Sequence, residues 1–136
     1  MITPLQLITL DIAAEEADGR LEHRCQFAMA ALYKEVGLLP QDLVIPEGPR
    51  DWARAQRRSL IREWLEGPGG AYFAKVDAPA AAGDLLCFRL GGCAHHVAIQ
   101  LSRGRIVHVF MPHGIKLAPC IPAPWAKRID SIWRLK

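Results

Sequence analysis

Three residues of the kinds that work together in nucleophilic catalysis stand in order along this chain: a cysteine at position 25 and histidines at 96 and 108. The histidines belong to CAHHVAIQLSRGRIVHV, Cys93 to Val109, where a His95–His96 doublet heads one apolar run and His108 lies in the next. Side chains alternate across a strand, so His96 shares a face with Ala98 and Gln100. Val97, Ile99 and Leu101 take the core face, and His95 has their parity. Ser102-Arg103-Gly104 reads as a three-residue hairpin loop with glycine in the left-handed position. That register pairs Leu101 with Arg105 and Ala98 with His108. His96 and His108 then become diagonal neighbours, about 7–8 Å apart at the backbone. A two-residue Arg103-Gly104 loop would instead send His108 to the opposite face.

A histidine pair on one polar sheet face fits two chemistries. A metal site is one, but the nearby carboxylate is only Asp84 and there is no HxH spacing. The four cysteines, Cys25, Cys87, Cys93 and Cys120, contain no CxxC pair, which argues against a thiolate metal or iron–sulfur site. The other chemistry is a nucleophile whose base is one histidine, oriented by the second. Cys25 qualifies as that nucleophile. Cys25, Ala28, Met29, Leu32 and Val36 recur at helical spacing, which predicts a helix over 22–36 with Cys25 in its first turn. There the macrodipole and unpaired N–H groups favour a thiolate and can help hold an oxyanion. Each residue alone also has a structural reading: a cysteine on an apolar helix stripe is commonly inert packing, and a histidine at a strand end is commonly a hydrogen-bonded scaffold group. The combination carries the argument.

These residues need a helix packed on a sheet, and the rest of the chain supplies both. Gly37 and Pro40 stop the first predicted helix. A second is predicted over 51–66, with Asp51 as N-cap and Gly67-Pro68-Gly69-Gly70 at its end. Asp77 to Gly83 reads as a connector. After it the period changes, and 85–89, 97–101, 105–110, 115–117 and 129–135 read as short strands separated by Gly and Pro turns. Pro119 to Trp125 is a proline-rich connector whose tryptophan looks exposed, a candidate docking element. Helices followed by antiparallel strands make an α+β domain, and 136 residues suffice for one such domain. Residues 1–19 are read as an N-terminal extension available for docking.

The bulk properties narrow the function classes. A net charge of +3 is too small to argue for nucleic acid, though it suits an anionic polymer. Arg54, Arg57, Arg58 and Arg62 cluster, but Asp51, Glu63 and Glu66 interrupt them, as on a solvated helix face. No apolar run approaches the roughly 20 residues of a membrane helix. The first residues lack the basic region of a secretory signal. Irregular cysteine spacing without an export signal favours thiols over disulfides.

HRCQFAMAALYKEVGLLP, GDLLCFRLGG, HHVAIQL and RIVHVF together resemble the NlpC/P60 superfamily of cell-wall cysteine peptidases, most closely the small phage tail-associated type. The step from His96 to His108 matches that family, and the closing RIDSIWRLK resembles the last strand of its phage members. The likeness runs over about residues 20–136. It implies a papain-like fold, with N-terminal helices packed on a small antiparallel sheet or half-barrel. It implies Cys25 as nucleophile, His96 as base and His108 as the polar residue that fixes the imidazole, with Arg24 and Gln26 beside the oxyanion position. It implies cleavage of amide bonds in the peptide stem of peptidoglycan through a thioester, with no metal or cofactor. The implied setting is a phage tail tip, assembled in the bacterial cytoplasm among other tail-tip or baseplate proteins and acting at the host wall, with no nucleic acid bound and no membrane insertion. Two features depart from the family. Arg24 replaces the usual acidic residue before the nucleophile, and the first 24 residues carry no aromatic side chain to build a substrate groove. A catalytically inactive tail-tip component with the same fold is the alternative. A CHAP-type amidase is a further one, against which His108 argues, since CHAP domains usually place Glu, Asn or Asp there.

Overall fold

A computed structural model describes residues 2–20, 25–46, 59–90, 93–110 and 113–136, and of Cys25, Leu90, Cys93, Ala94, His95 and Phe110 the backbone alone. Arg24, the expected Asp51 cap and the arginines Arg54, Arg57 and Arg58 lie outside the described residues.

Helix α1 is Pro4–Ala17. Thr3 caps it, accepting from the Gln6 N–H at 3.1 Å, while the Gln6 side chain accepts from the Thr3 N–H at 2.9 Å. This reciprocal box, with Pro4 at the first helical position where no N–H is required, is a strong start signal. Leu10, Ala13, Ala14 and Ala17 are buried in the main core. Residues 4–17, read from the sequence as part of an extension, therefore form a helix built into the domain. Its far end is tied to the sheet by Gly19 N–H to Ile115 O at 2.8 Å and Ile115 N–H to Arg20 O at 2.8 Å.

Helix α2 is Cys25–Glu35. It ends at Gly37, whose φ of 77° lets the Leu38 N–H reach Tyr33 O at 2.8 Å. Helix α3 is Leu60–Glu66, and here the sequence expectation needs correction. Ser59 is extended, and its hydroxyl caps the Arg62 N–H at 3.0 Å, so 51–66 is not one unbroken helix. Ser59 competes for the backbone locally, which starts a helix and cannot continue one.

The strands are β1 Phe73–Val76, β2 Leu85–Leu90, β3 Cys93–Gln100, β4 Ile106–Phe110, β5 Gly114–Ala118 and β6 Ile129–Leu135. They form one six-stranded sheet in the order β1-β6-β2-β3-β4-β5. Every pairing is antiparallel. A short helix α4, Ala123–Ala126, lies between β5 and β6. Sequence reading passed over β1, because four residues after a glycine-rich turn show too little alternation; pairing with β6 makes them a strand.

The sheet is buried on both faces. Leu85, Cys87, Val97, Ile99, Val107 and Val109 join the cluster under the helices. Leu86, Phe88, Ala98 and Ile106 form a second cluster on the other face, covered by Ile121 and Trp125 among others. That second cluster corrects the expectation of a polar face around His96, and it explains why β2 reads as an almost continuous apolar run.

Candidate active site

The histidine register is the three-residue one. Ala98 pairs with His108, Ile99 with Val107 and Gln100 with Ile106, and the Leu101 N–H donates to Arg105 O at 2.8 Å. Arg103 and Gly104 both adopt left-handed backbone, at φ 63° and 74°, where only the glycine was expected to. The closure brings the imidazoles of His96 and His108 to a ring separation of 5.7 Å, with their planes at 83°. Both are buried, at 9% and 5% exposure.

On the opposite side of His96 the strand is irregular. Phe88 pairs with His96 but Arg89 pairs with Ala94, so the register slips at His95 in a β-bulge. Strict alternation stops there, and it no longer decides where His95 points; that side chain lies outside the described residues.

Trp125 is the neighbour that sequence reading misjudged. It is half-buried in α4 where it was expected to be exposed. Its ring lies 5.1 Å from His96 and 5.0 Å from His108, at 77° and 83° to them. Phe88 completes the group, 5.5 Å from Trp125 and 5.9 Å from His96. No linear spacing ties position 125 to 96 and 108. The usable local signal was Pro122 and Pro124 around a short helix start, with an apolar Trp inside it.

Burial lowers the His108 pKa from its ordinary value. His108 is thus held neutral near neutral pH, able to donate through one ring nitrogen and accept through the other. A neutral, immobile imidazole suits an orienting partner better than a cation would.

Cys25 lies at the start of α2 as described, while residues 22–24 of the helix expected over 22–36 lie outside the described residues. The helix packs on the Val97–Ile99 face of β3, opposite the face that carries the two imidazoles. Gln26, in the same first turn, borders an apolar cavity of about 30 Å³ with Met29, Tyr33, Leu85 and Val97. Backbone N–H groups of this turn are where oxyanion donors would come from. The structure thus brings His96 and His108 together and sets Cys25 and Gln26 on the helix behind the same strand.

Asp84, the carboxylate weighed for a metal site, is committed elsewhere. It is 2% exposed and takes two hydrogen bonds from Arg134, at 3.0 and 2.9 Å, and one from the Ala81 N–H at 2.8 Å. Among the described residues no group of three His, Cys, Asp or Glu side chains could hold a metal ion. Cys87 and Cys120 are thiols and not halves of a disulfide.

No family model matches the chain, and no curated protein is significantly similar to it. A solved structure does match: a protein from Staphylococcus aureus subsp. aureus Mu50 described as similar to a lipoprotein of the NLP/P60 family, with a TM-score of 0.62 at 18% sequence identity. The alignment covers 98% of this chain and 42% of that one. The fold is an NlpC/P60 fold. This chain therefore spans less than half the length of its staphylococcal counterpart.

Proposed function

We propose that the protein is a cysteine peptidase that cleaves amide bonds in the peptide stem of bacterial peptidoglycan, working at the tip of a phage tail. One observation carries the reading: in an NlpC/P60 fold, His96 and His108 stand side by side on β3 and β4, and a cysteine heads the helix packed on β3. In the reaction His96 takes the Cys25 proton, and the sulfur attacks the scissile carbonyl carbon. The resulting oxyanion draws on N–H groups at the start of α2. Collapse of that intermediate breaks the C–N bond, with the His96 proton passing to the departing amine and a thioester left on Cys25. Water, deprotonated by His96, then hydrolyses the thioester. His108 keeps the His96 ring in one orientation. The quoted motifs and the RIDSIWRLK segment support the phage tail setting. Purified peptidoglycan incubated with wild-type protein should release free amines, and Cys25→Ala should abolish that release. Unchanged hydrolysis by Cys25→Ala would sink the proposal.

A second reading, an inactive tail-tip or assembly component of the same fold, draws on the face that the histidines occupy. They lie opposite α2 and beneath Trp125. Wild-type protein that hydrolyses no peptidoglycan, yet co-purifies with tail proteins, is the result that this reading expects.

A further inference from the structure

We propose that Trp125 is a positioning residue for the histidine pair, its indole wedged against both imidazoles so that they keep one mutual orientation and stay shielded from water. This rests on the reading of His96 and His108 as base and orienting partner.

The geometry is a closed triangle. The three rings lie 5.0, 5.1 and 5.7 Å apart by centroid, and each pair stands nearly perpendicular, at 83°, 77° and 83°. Edge-to-face contacts of this kind favour a particular orientation because the positive ring edge meets a negative ring face. In a triangle each ring is oriented twice, so neither imidazole can turn without opening a contact to both others. His96 and His108 are diagonal neighbours on adjacent strands, so the backbone register sets their separation and the third ring adds a constraint on their orientation.

The indole itself is fixed from its backbone. The Trp125 N–H donates to Pro122 O at 2.8 Å, and Trp125 O accepts from the Arg128 N–H at 2.8 Å. Pro122 and Pro124 restrict the approach to the helix. Phe88 supports the indole from β2 at 5.5 Å. Trp125 is half-buried, which makes it the part of the cluster that separates the imidazoles from solvent.

Charged groups on the surrounding elements are Lys116 on β5, directly across from His108, the Arg89–Asp130 pair between β2 and β6, and Lys127 and Arg128 after α4. Burial is what opposes a positive His108, and that effect depends on the pair staying covered.

The test is proton NMR of the imidazoles across pH in wild type, Trp125→Ala and Trp125→Phe, alongside hydrolysis of purified peptidoglycan. Water admitted by Trp125→Ala should raise the His108 titration by about half to one pH unit. The phenylalanine variant should stay near wild type. In hydrolysis Trp125→Ala should lose about tenfold to a hundredfold in kcat with KM little changed, and Trp125→Phe should recover most of it. Should Trp125→Ala not fold, Trp125→Leu carries the same test, with the titration moving in the same direction. An unmoved His108 titration in the folded alanine or leucine variant overturns the positioning role, whatever hydrolysis does. A moved titration in a protein whose wild type hydrolyses nothing upholds the positioning role and removes the catalytic one.

Discussion

His108 is where a single side chain has consequences that a solution measurement can read. Burial lowers its pKa, so the folded state binds its proton less readily than the unfolded chain does. The sign follows from linkage. The stability that His108 contributes is complete above its ordinary value of 6.5 and is lost as pH falls through that value toward the lower folded one. Chemical denaturation at pH 7.5 and pH 5.5 should therefore show the protein weakening on acidification, and His108→Gln should flatten that difference. An equal loss in the variant would place the acid sensitivity elsewhere. The residue scale also shows what parity could deliver. Alternation and loop length were enough to put His96 and His108 together, because a hairpin propagates its register by hydrogen bonding alone. They were not enough for His95, where a bulge breaks the period, or for Trp125, whose contact with the pair crosses the fold.

Helix α1 holds the clearest lesson among the elements. Its apolar residues occur all round: Leu10, Ala13 and Ala14 point inward, while Leu5, Ile8 and Ile12 are exposed, at 72%, 56% and 49%. Periodicity could not separate core from surface there, since the inward face is mostly alanine and the outward face is the more hydrophobic. The Thr3-Pro4-Leu5-Gln6 start was the better signal, because a capping box depends on local chemistry and not on burial. Truncation separates the faces. Leu10→Ala should cost about 2–5 kcal/mol, since Leu10 is fully buried, while Ile8→Ala should stay within about 0.5 kcal/mol, both read as shifts in the denaturation midpoint. Equal losses at the two positions would mean that α1 does not sit on the core as described. The same reasoning covers Ser59: a cap residue in the middle of an apolar-periodic stretch is a boundary, even where the period runs on.

At the scale of the molecule, Asp84 joins parts of the chain far apart in sequence. Its carboxylate receives Arg134 from β6 and the Ala81 N–H from the connector, and its carbonyl receives the Gln100 N–H from the end of β3. Gly83 beside it has a φ of 96° and donates its N–H to Gln100 O at 2.7 Å, while Tyr33 of α2 donates its hydroxyl to Gly83 O at 2.8 Å. Helix, connector and two strands thus meet at one Gly-Asp pair. Arg134 stays partly exposed, so losing the carboxylate does not bury an unpaired cation, and the cost arises from donors that lose their acceptor. Asp84→Ala should destabilise by about 1–3 kcal/mol, measured by urea denaturation, with no dependence on added metal. Stabilisation of the wild type by a divalent cation, lost in the variant, would show that the site does bind metal. Asp130 plays a smaller version of this part, held between Arg62 and Arg89 at 2.8 Å each. Burial pushes its carboxyl up, yet hydrogen bonds from Arg89 and Ser131 and the charge of Arg62 hold it below its ordinary value.

Local terms were decided before the chain folded. The change of period at about residue 84, the glycine stop at Gly37, the hairpin loop at Ser102 to Gly104 and the face shared by His96 and His108 all follow from interactions within a few residues or between adjacent strands. They are legible because backbone geometry repeats the same way everywhere. What the tertiary structure decided is what lies on each side of the sheet. Helices cover one face and the Ile121–Trp125 segment covers the other, so a face expected to be polar became a second core with two imidazoles at its margin. Burial of that kind depends on which distant segment returns to cover a strand, and no periodicity within the strand records it.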